Sequence, residues 1–124
     1  MALRCLIVDD NAGFCEAARN LLEEQGVTVV GCAASSAEAV RSVQKLQPEV
    51  ALVDIDLGGE SGFDLARRLA NELEGVKPQV IIFISTHDEQ EFARLIESSP
   101  AVGFLAKTEL SAKRIYELLD RAAG

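Results

Sequence analysis

Five apolar runs punctuate the chain, and the segments between them carry a helical period. The runs are LRCLIVD (Leu3 to Asp9), VTVVGCA (Val27 to Ala33), VALVD (Val50 to Asp54), QVIIFIS (Gln79 to Ser85) and AVGFLAK (Ala101 to Lys107). The runs at Val50 and Gln79 are almost unbroken in apolar residues, as strands covered on both faces are. Between them, Phe14, Ala17, Ala18, Leu21 and Leu22 follow the i, i+3, i+4, i+7, i+8 stripe of one buried helical face. Gly26 is placed to stop that helix. Ser35 and Glu38 have the spacing of a capping box for a second helix, and Pro48 lies just beyond its end. Leu65, Leu69 and Leu73 line a third helix ending near Gly75. Phe92, Leu95 and Ile96 mark a fourth, and Ile115, Leu118, Leu119 and Ala122 a fifth. The order is β-α five times over. It predicts one doubly wound α/β domain over residues 1–124, with a parallel sheet and helices on both faces. Ligands of such sheets sit outside the carboxyl ends of the strands, at the switch in strand order. The strand ends therefore hold the chemistry.

The first run ends in Asp9 and Asp10, the third in Asp54, the fourth in Ser85 and Thr86, and the fifth in Lys107. The second ends in Ala33 and Ala34, which offer no reactive side chain. Singly, each polar residue has an ordinary explanation. An aspartate after a strand caps the next helix, a serine closes a loop, and a lysine is solvated. Jointly, those explanations need four coincidences at one edge of a sheet.

Charge adds to this. The 124 residues include 12 basic and 20 acidic ones, for a net charge of −8. No basic cluster exists to neutralise phosphates, which argues against direct nucleic-acid binding. Two carboxylates about 4 Å apart repel by about 4 kcal/mol at an effective dielectric near 20. Asp10 and Asp54 gathered at one edge need a counter-charge larger than one lysine. A hard divalent cation with oxygen ligands supplies it, and magnesium suits a site of few carboxylates and several waters; manganese is the alternative. Carboxylate, magnesium and ammonium together suit phosphoryl transfer, with the carboxylate attacking to give an aspartyl phosphate.

CLIVDDN, ALVDIDLGGESG, IIFIST and GFLAK, in that order and spacing, resemble the receiver domain of bacterial two-component response regulators, across essentially the whole chain. The resemblance implies a flavodoxin-like domain with strand order 2-1-3-4-5. It makes Asp54 the phosphoacceptor and Asp10 the principal magnesium ligand, assisted by Asp9, by Asp54 itself and by the backbone carbonyl of Asp56. Ser85 takes the switch-hydroxyl position, Phe104 the aromatic switch position, and Lys107 pairs with a phosphoryl oxygen. Phe104 is expected to rotate inward once Ser85 moves to the phosphoryl group, altering the face made by the fourth helix, fifth strand and fifth helix. The implied partners are a sensor histidine kinase and a second copy of the chain on phosphorylation, with no enzymatic activity beyond self-phosphorylation and autodephosphorylation.

Two positions depart from the family pattern. Gly58 stands where proline is usual, which implies a looser loop after the site, and Thr108 follows the lysine where proline is common. Thr108, STHDE and the terminal AAG are similar to receivers that carry helix-turn-helix output domains of the NarL/LuxR kind, and residues 1–124 are expected to be a stand-alone receiver or a fragment cut from such a protein. DIDLG also resembles the D-x-D-x-T motif of haloacid-dehalogenase-type phosphatases. That would make Asp54 the nucleophile and Asp56 the general acid of a magnesium-dependent hydrolase. Against it, Gly58 holds the threonine position and the motif falls on the third strand.

Cys5, Cys15 and Cys32 are widely spaced and form no C-x-x-C pair. They are expected to be buried small hydrophobes in a reducing compartment. The apolar stretch at the N-terminus is too short for a signal peptide or a membrane span, so a cytoplasmic, membrane-free protein is expected.

Overall fold

All strand pairs in the computed structural model are parallel, and the sheet order is β2-β1-β3-β4-β5. The structure describes residues 2–71, 78 and 80–123. Strands β1 (Arg4–Val8), β2 (Thr28–Ala33), β3 (Val50–Asp54), β4 (Val80–Ser85) and β5 (Gly103–Ala106) alternate with helices α1 (Ala12–Glu24), α2 (Ser36–Leu46), α3 (Gly62–Asn71), α4 (Ala93–Glu97) and α5 (Ala112–Ala123). This is the flavodoxin-like order that the family resemblance implied.

The period of two along each strand divides the core into two layers. Leu6, Val8, Ala51, Val53, Ile81 and Phe83 face Val40 and Val43 of α2 and Leu65 and Leu69 of α3. Cys5, Ile7, Val50, Leu52, Ile82 and Ile84 face Leu22 of α1 and Ile115 and Leu118 of α5. All five residues of β3 are buried, as its unbroken apolar run requires.

The helix ends follow local chemistry. The side chain of Asn11 caps α1 by accepting from the Phe14 amide at 3.0 Å. Gly26, at φ +90°, turns the chain after it. The Ser35 hydroxyl accepts from the Glu38 amide at 3.2 Å, while the Glu38 carboxylate reaches back to the Ala34 amide at 2.7 Å. That is the predicted capping box displaced by one residue on its return arm.

Three expectations are corrected. The buried stripe of α1 is Cys15, Ala18 and Leu22, and Ala17 and Leu21 face outward. The fourth helix is a 3-10 turn (Glu89–Phe92) followed by the five residues of α4, with Leu95 50% exposed. Lys107 starts a second 3-10 turn (Lys107–Glu109) and is not the last residue of β5. Leu73, Gly75 and Gln79 lie outside the described residues.

Candidate functional site

Asp9 follows β1 and continues its ladder, its amide donating to the Ala33 carbonyl of β2 at 2.9 Å. Its Oδ1 accepts from the Asn11 amide at 2.9 Å, and its own carbonyl accepts from the Cys15 thiol at 3.7 Å. With backbone and side chain both held, Asp9 is only 2% exposed. Asp10, one residue on, points to the surface. Asp54 ends β3 at 6% exposure, and its Oδ1 accepts from the Asp56 amide at 3.1 Å. Carboxylate oxygens of Asp9, Asp10 and Asp54 lie within 4.8 Å of one another.

One ammonium faces these three acids. Lys107 Nζ stands 2.6 Å from Asp9 Oδ2 and 3.2 Å from Asp54 Oδ2. It also sits 4.5 Å from the centroid of the Phe14 ring, a cation–π contact that fixes its approach. Burial pushes the Asp54 carboxyl above its ordinary range, with the Asp9 charge adding to the rise; the Asp56 amide and Lys107 oppose it without cancelling it. Burial works to lower Lys107, but the contact with Asp9 and the charges of Asp54 and Asp9 outweigh it and hold the ammonium above its ordinary value. The cluster remains short of positive charge.

The residues fit a divalent cation. The donors are all hard oxygens, converging from two strands. Asp9 Oδ2 is buried and meets Lys107 by charge contact, without an aligned hydrogen bond from any described donor. An acceptor in that state has a lone pair to offer.

The loop after Asp54 is closed, contrary to the expectation attached to Gly58. Leu57 and Glu60 exchange backbone hydrogen bonds at 3.0 and 3.4 Å, and the Glu60 carboxylate accepts from the Ser36 amide at 3.0 Å. Gly58 adopts φ +62°, which proline's ring cannot reach. A Cβ there would fall 2.6 Å from Asp10 Oδ2, so the bare backbone sits against the carboxylate. Gly62 is more constrained, since its Cβ would lie 2.2 Å from the Asp54 carbonyl oxygen.

Ser85 and Phe104 lie on the neighbouring strands. Asp54 pairs with Ile84 and Ser85 with Ala106, so Ser85 is stepped between Asp54 and Lys107. The Ser85 hydroxyl accepts from the His87 amide at 3.0 Å, and the residue is 2% exposed. Thr86 is exposed. Phe104 pairs with Phe83 and is already 8% exposed within the α2–α3 layer, so any switching movement starts from a packed ring. Asp56 is exposed and is bridged to Ser61 across the loop.

The structure thus brings Asp9, Asp10, Asp54 and Lys107 into one cluster, with Ser85 beside it. Sequence reasoning missed Asn11 as the α1 cap, where an aspartate was the candidate. It missed Phe14 as the platform for Lys107, because an aromatic in an apolar helical stripe reads as core. It also overlooked the Ala33 carbonyl, since a strand end without side-chain chemistry was judged to offer nothing.

Residues 5–120 match the family described as the response regulator receiver domain. A protein-glutamate methylesterase/protein-glutamine glutaminase of Myxococcus xanthus is 33% identical over 118 residues, covering 94% of this chain and 33% of that protein. The chain spans half or less of the first three curated relatives it matches. The signal receiver domain of the putative response regulator NarL from Mycobacterium tuberculosis superposes with a TM-score of 0.80 at 30% identity, covering 99% of this chain and 98% of that one. A Burkholderia pseudomallei response regulator with a phosphorylated aspartic acid, calcium ion and citrate gives a TM-score of 0.78 at 25% identity, covering 94% of this chain and 66% of that one. The family match runs through the DIDLG segment on which the phosphatase alternative rested, and that alternative is not favoured. The chain belongs to the response regulator receiver domains, the phosphoacceptor modules of two-component signalling.

Proposed function

We propose that Asp54 is the phosphoacceptor of this receiver, in a magnesium-dependent reaction with a phosphohistidine of a sensor kinase. The observation that carries this is the gathering of three carboxylates within 4.8 Å beside a single lysine, two of the three buried. Asp10, Asp9, Asp54 and the carbonyl of Asp56 would hold the cation. When bound, magnesium supplies neutralisation of phosphoryl charge, and manganese supplies the same. The phosphorylated aspartic acid of the Burkholderia relative supports the assignment by likeness.

The chain's own residues do the rest. Asp54 presents Oδ2 toward Lys107, while Oδ1 is occupied by the Asp56 amide. A carboxylate oxygen forms the new O–P bond as the P–N bond to the kinase imidazole breaks, and the imidazole leaves with the electron pair. Lys107 is poised to follow the charge from the carboxylate to the phosphoryl oxygens. The Ser85 hydroxyl, an acceptor here, keeps its proton free to donate to the new group. That hydrogen bond gives phosphorylation a differential contact, which a population shift requires. Its effect would pass through Phe104 to the face carrying the exposed Leu95 and Tyr116. A second copy of the chain, or the output segment of a longer protein, would read that face.

This is phosphoacceptor chemistry without turnover of a separate substrate. No helix of the described residues is long and apolar enough to cross a membrane, and the net charge of −8 supports a domain that does not bind nucleic acid itself. The test pairs acetyl phosphate labelling with p-nitrophenyl phosphate turnover, both with magnesium. A stable adduct lost in Asp54→Asn, with no turnover, is expected. Retained labelling in Asp54→Asn would assign the acceptor elsewhere, and sustained turnover would restore the phosphatase alternative. Beryllium fluoride, a phosphoryl mimic, should shift amide resonances from Phe104 to Tyr116. Shifts confined to the loops after Asp54 and Ser85 would refute the switch.

A further inference from the structure

The three cysteines were expected to be equivalent buried hydrophobes, and they are not. Cys5 is fully buried at the start of the β1 ladder. Cys15 is 5% exposed on α1, and Cys32 is exposed on β2, the edge strand. A local irregularity brings the last two together. The β1–β2 register slips by one residue between Cys5 and Leu6, so Cys5 pairs with Val29 but Leu6 pairs with Gly31. Val30 packs on the α2–α3 layer, and a Cβ on Gly31 would meet Leu46 and Leu6 of that same layer. Two consecutive residues thus face α2, and every later side chain on β2 is moved to the opposite face. Cys32 then pairs with Ile7, whose side chain belongs to the α1 layer. Without the slip, Cys32 would point away from α1.

The result is a shared cavity of about 300 Å³ lined by Cys15, Cys32, Arg19, Asp9, Asp10 and Ala33. Both thiols line it, Cys15 from α1 and Cys32 from β2. The Arg19 Nε is buried and has no partner among the described residues, so the cavity already holds an unspent cationic donor.

We propose that Cys15 and Cys32 form a hydroperoxide-sensitive dithiol that closes to an α1–β2 disulfide and weakens cation binding at Asp9. Cys32 is the attacking thiol, because it is the one that solvent reaches. Its sulfur takes the terminal oxygen of hydrogen peroxide, the O–O bond breaks, and water leaves, giving a sulfenic acid. Cys15 then attacks that sulfur and displaces a second water. Two thiols and one peroxide become one disulfide and two waters, with the peroxide as the two-electron oxidant. The difference in exposure, Cys32 open and Cys15 buried, suits an attacking and a resolving thiol.

The link to Asp9 is direct on both sides. The Cys15 thiol donates to the Asp9 carbonyl at 3.7 Å, and the Asp9 amide donates to the carbonyl of Ala33, next to Cys32, at 2.9 Å. A disulfide removes the first bond and ties the second to α1.

The experiment treats the reduced 124-residue chain with hydrogen peroxide, maps it by non-reducing peptide mass spectrometry, and titrates reduced and oxidised forms with magnesium by NMR. A single intramolecular Cys15–Cys32 linkage is expected, reversible by dithiothreitol, with Cys5 still a thiol. Cys15→Ser, which keeps the side-chain volume, should leave a dimedone-trappable sulfenic acid on Cys32. Cys32→Ala, at an exposed position, should leave Cys15 unoxidised. Magnesium affinity should fall about fivefold or more on oxidation, within the usual range of coupling between sites. Recovery of both thiols free, or of Cys32 only in intermolecular or over-oxidised forms, would overturn the dithiol. A disulfide with unchanged magnesium affinity would overturn the link to Asp9. Neither result bears on whether Asp54 accepts phosphate.

Discussion

The two ends of the sheet both carry charge, and they treat it in opposite ways. At the amino end, Arg4 lies at the start of β1. Its guanidinium donates to the carbonyls of Gln47, at 2.8 Å, and Leu46, which close α2. Its amide donates to Glu49 Oε1 at 3.0 Å. Gln47 is left-handed at φ 50°, so Arg4 serves helix carbonyls that the chain reversal leaves open. Arg4 and Glu49 there each have an answering group. At the carboxyl end, three acids meet one lysine, and a buried carboxylate oxygen lacks an aligned donor. Charge that is matched builds the fold; charge in excess is held ready for something that is not part of the chain. The excess, more than the burial, distinguishes the functional end.

Substitutions at the two ends should therefore move stability in different directions. The largest loss is expected from Gly62→Ala, because the new Cβ would fall 2.2 Å from the Asp54 carbonyl oxygen, which is backbone and cannot swing away. A cost of about 3 kcal/mol is expected from overpacking of this kind, visible in urea denaturation. Wild-type stability in that variant would show that the α3 entry yields more easily than its geometry allows. Arg4→Ala should cost about 1.5 kcal/mol, the scale of hydrogen bonds to a charged group, and leave acetyl phosphate labelling unchanged. Reduced labelling in a folded Arg4→Ala protein would break the contrast between the ends. Gly58→Ala should cost about 1 kcal/mol from its left-handed backbone and also weaken magnesium binding by crowding Asp10. A titration in which affinity is unaltered would remove Asp10 from the contact with that turn.

The smallest effect has the most informative sign. The Asp54 carboxyl is raised in the folded protein, so ionising it costs stability. That stability is present below the ordinary carboxylate range and is lost as pH rises through the raised value. Asp54→Asn should accordingly be slightly more stable than wild type at neutral pH without magnesium. The gain should shrink to nothing as pH falls into the ordinary carboxylate range. A variant less stable than wild type at neutral pH would mean that the Lys107 contact outweighs burial and the repulsion from Asp9.

The sequence carried the sheet well, because runs such as VALVD and VIIFIS have no helical alternative of comparable length. It carried the acids and Lys107 as well, since parallel topology sends all strand ends to one edge. It did not carry features set by one residue of register or by contact across elements. The slip between Cys5 and Leu6 has no compositional mark, yet it decides which face Cys32 occupies. The perch of Lys107 on Phe14 joins residues from β5's far end and α1, which no local pattern connects. The tight turn at Gly58 was read from a missing proline as loosening, whereas glycine's access to positive φ is what closes it. Leu95 fits the apolar stripe that marks the fourth helix but faces solvent.

The central claim is that the uncompensated acids at the carboxyl end exist to bind a divalent cation and let Asp54 take a phosphoryl group. Its most direct test is site-mapped mass spectrometry of the protein after acetyl phosphate treatment across a magnesium series, with a chelator control. One phosphoryl group on Asp54 is predicted, rising saturably with magnesium, absent in chelator and lost on removing the Asp10 carboxylate. Equal labelling without a divalent cation, or a phosphoryl group on any other residue, would contradict the account.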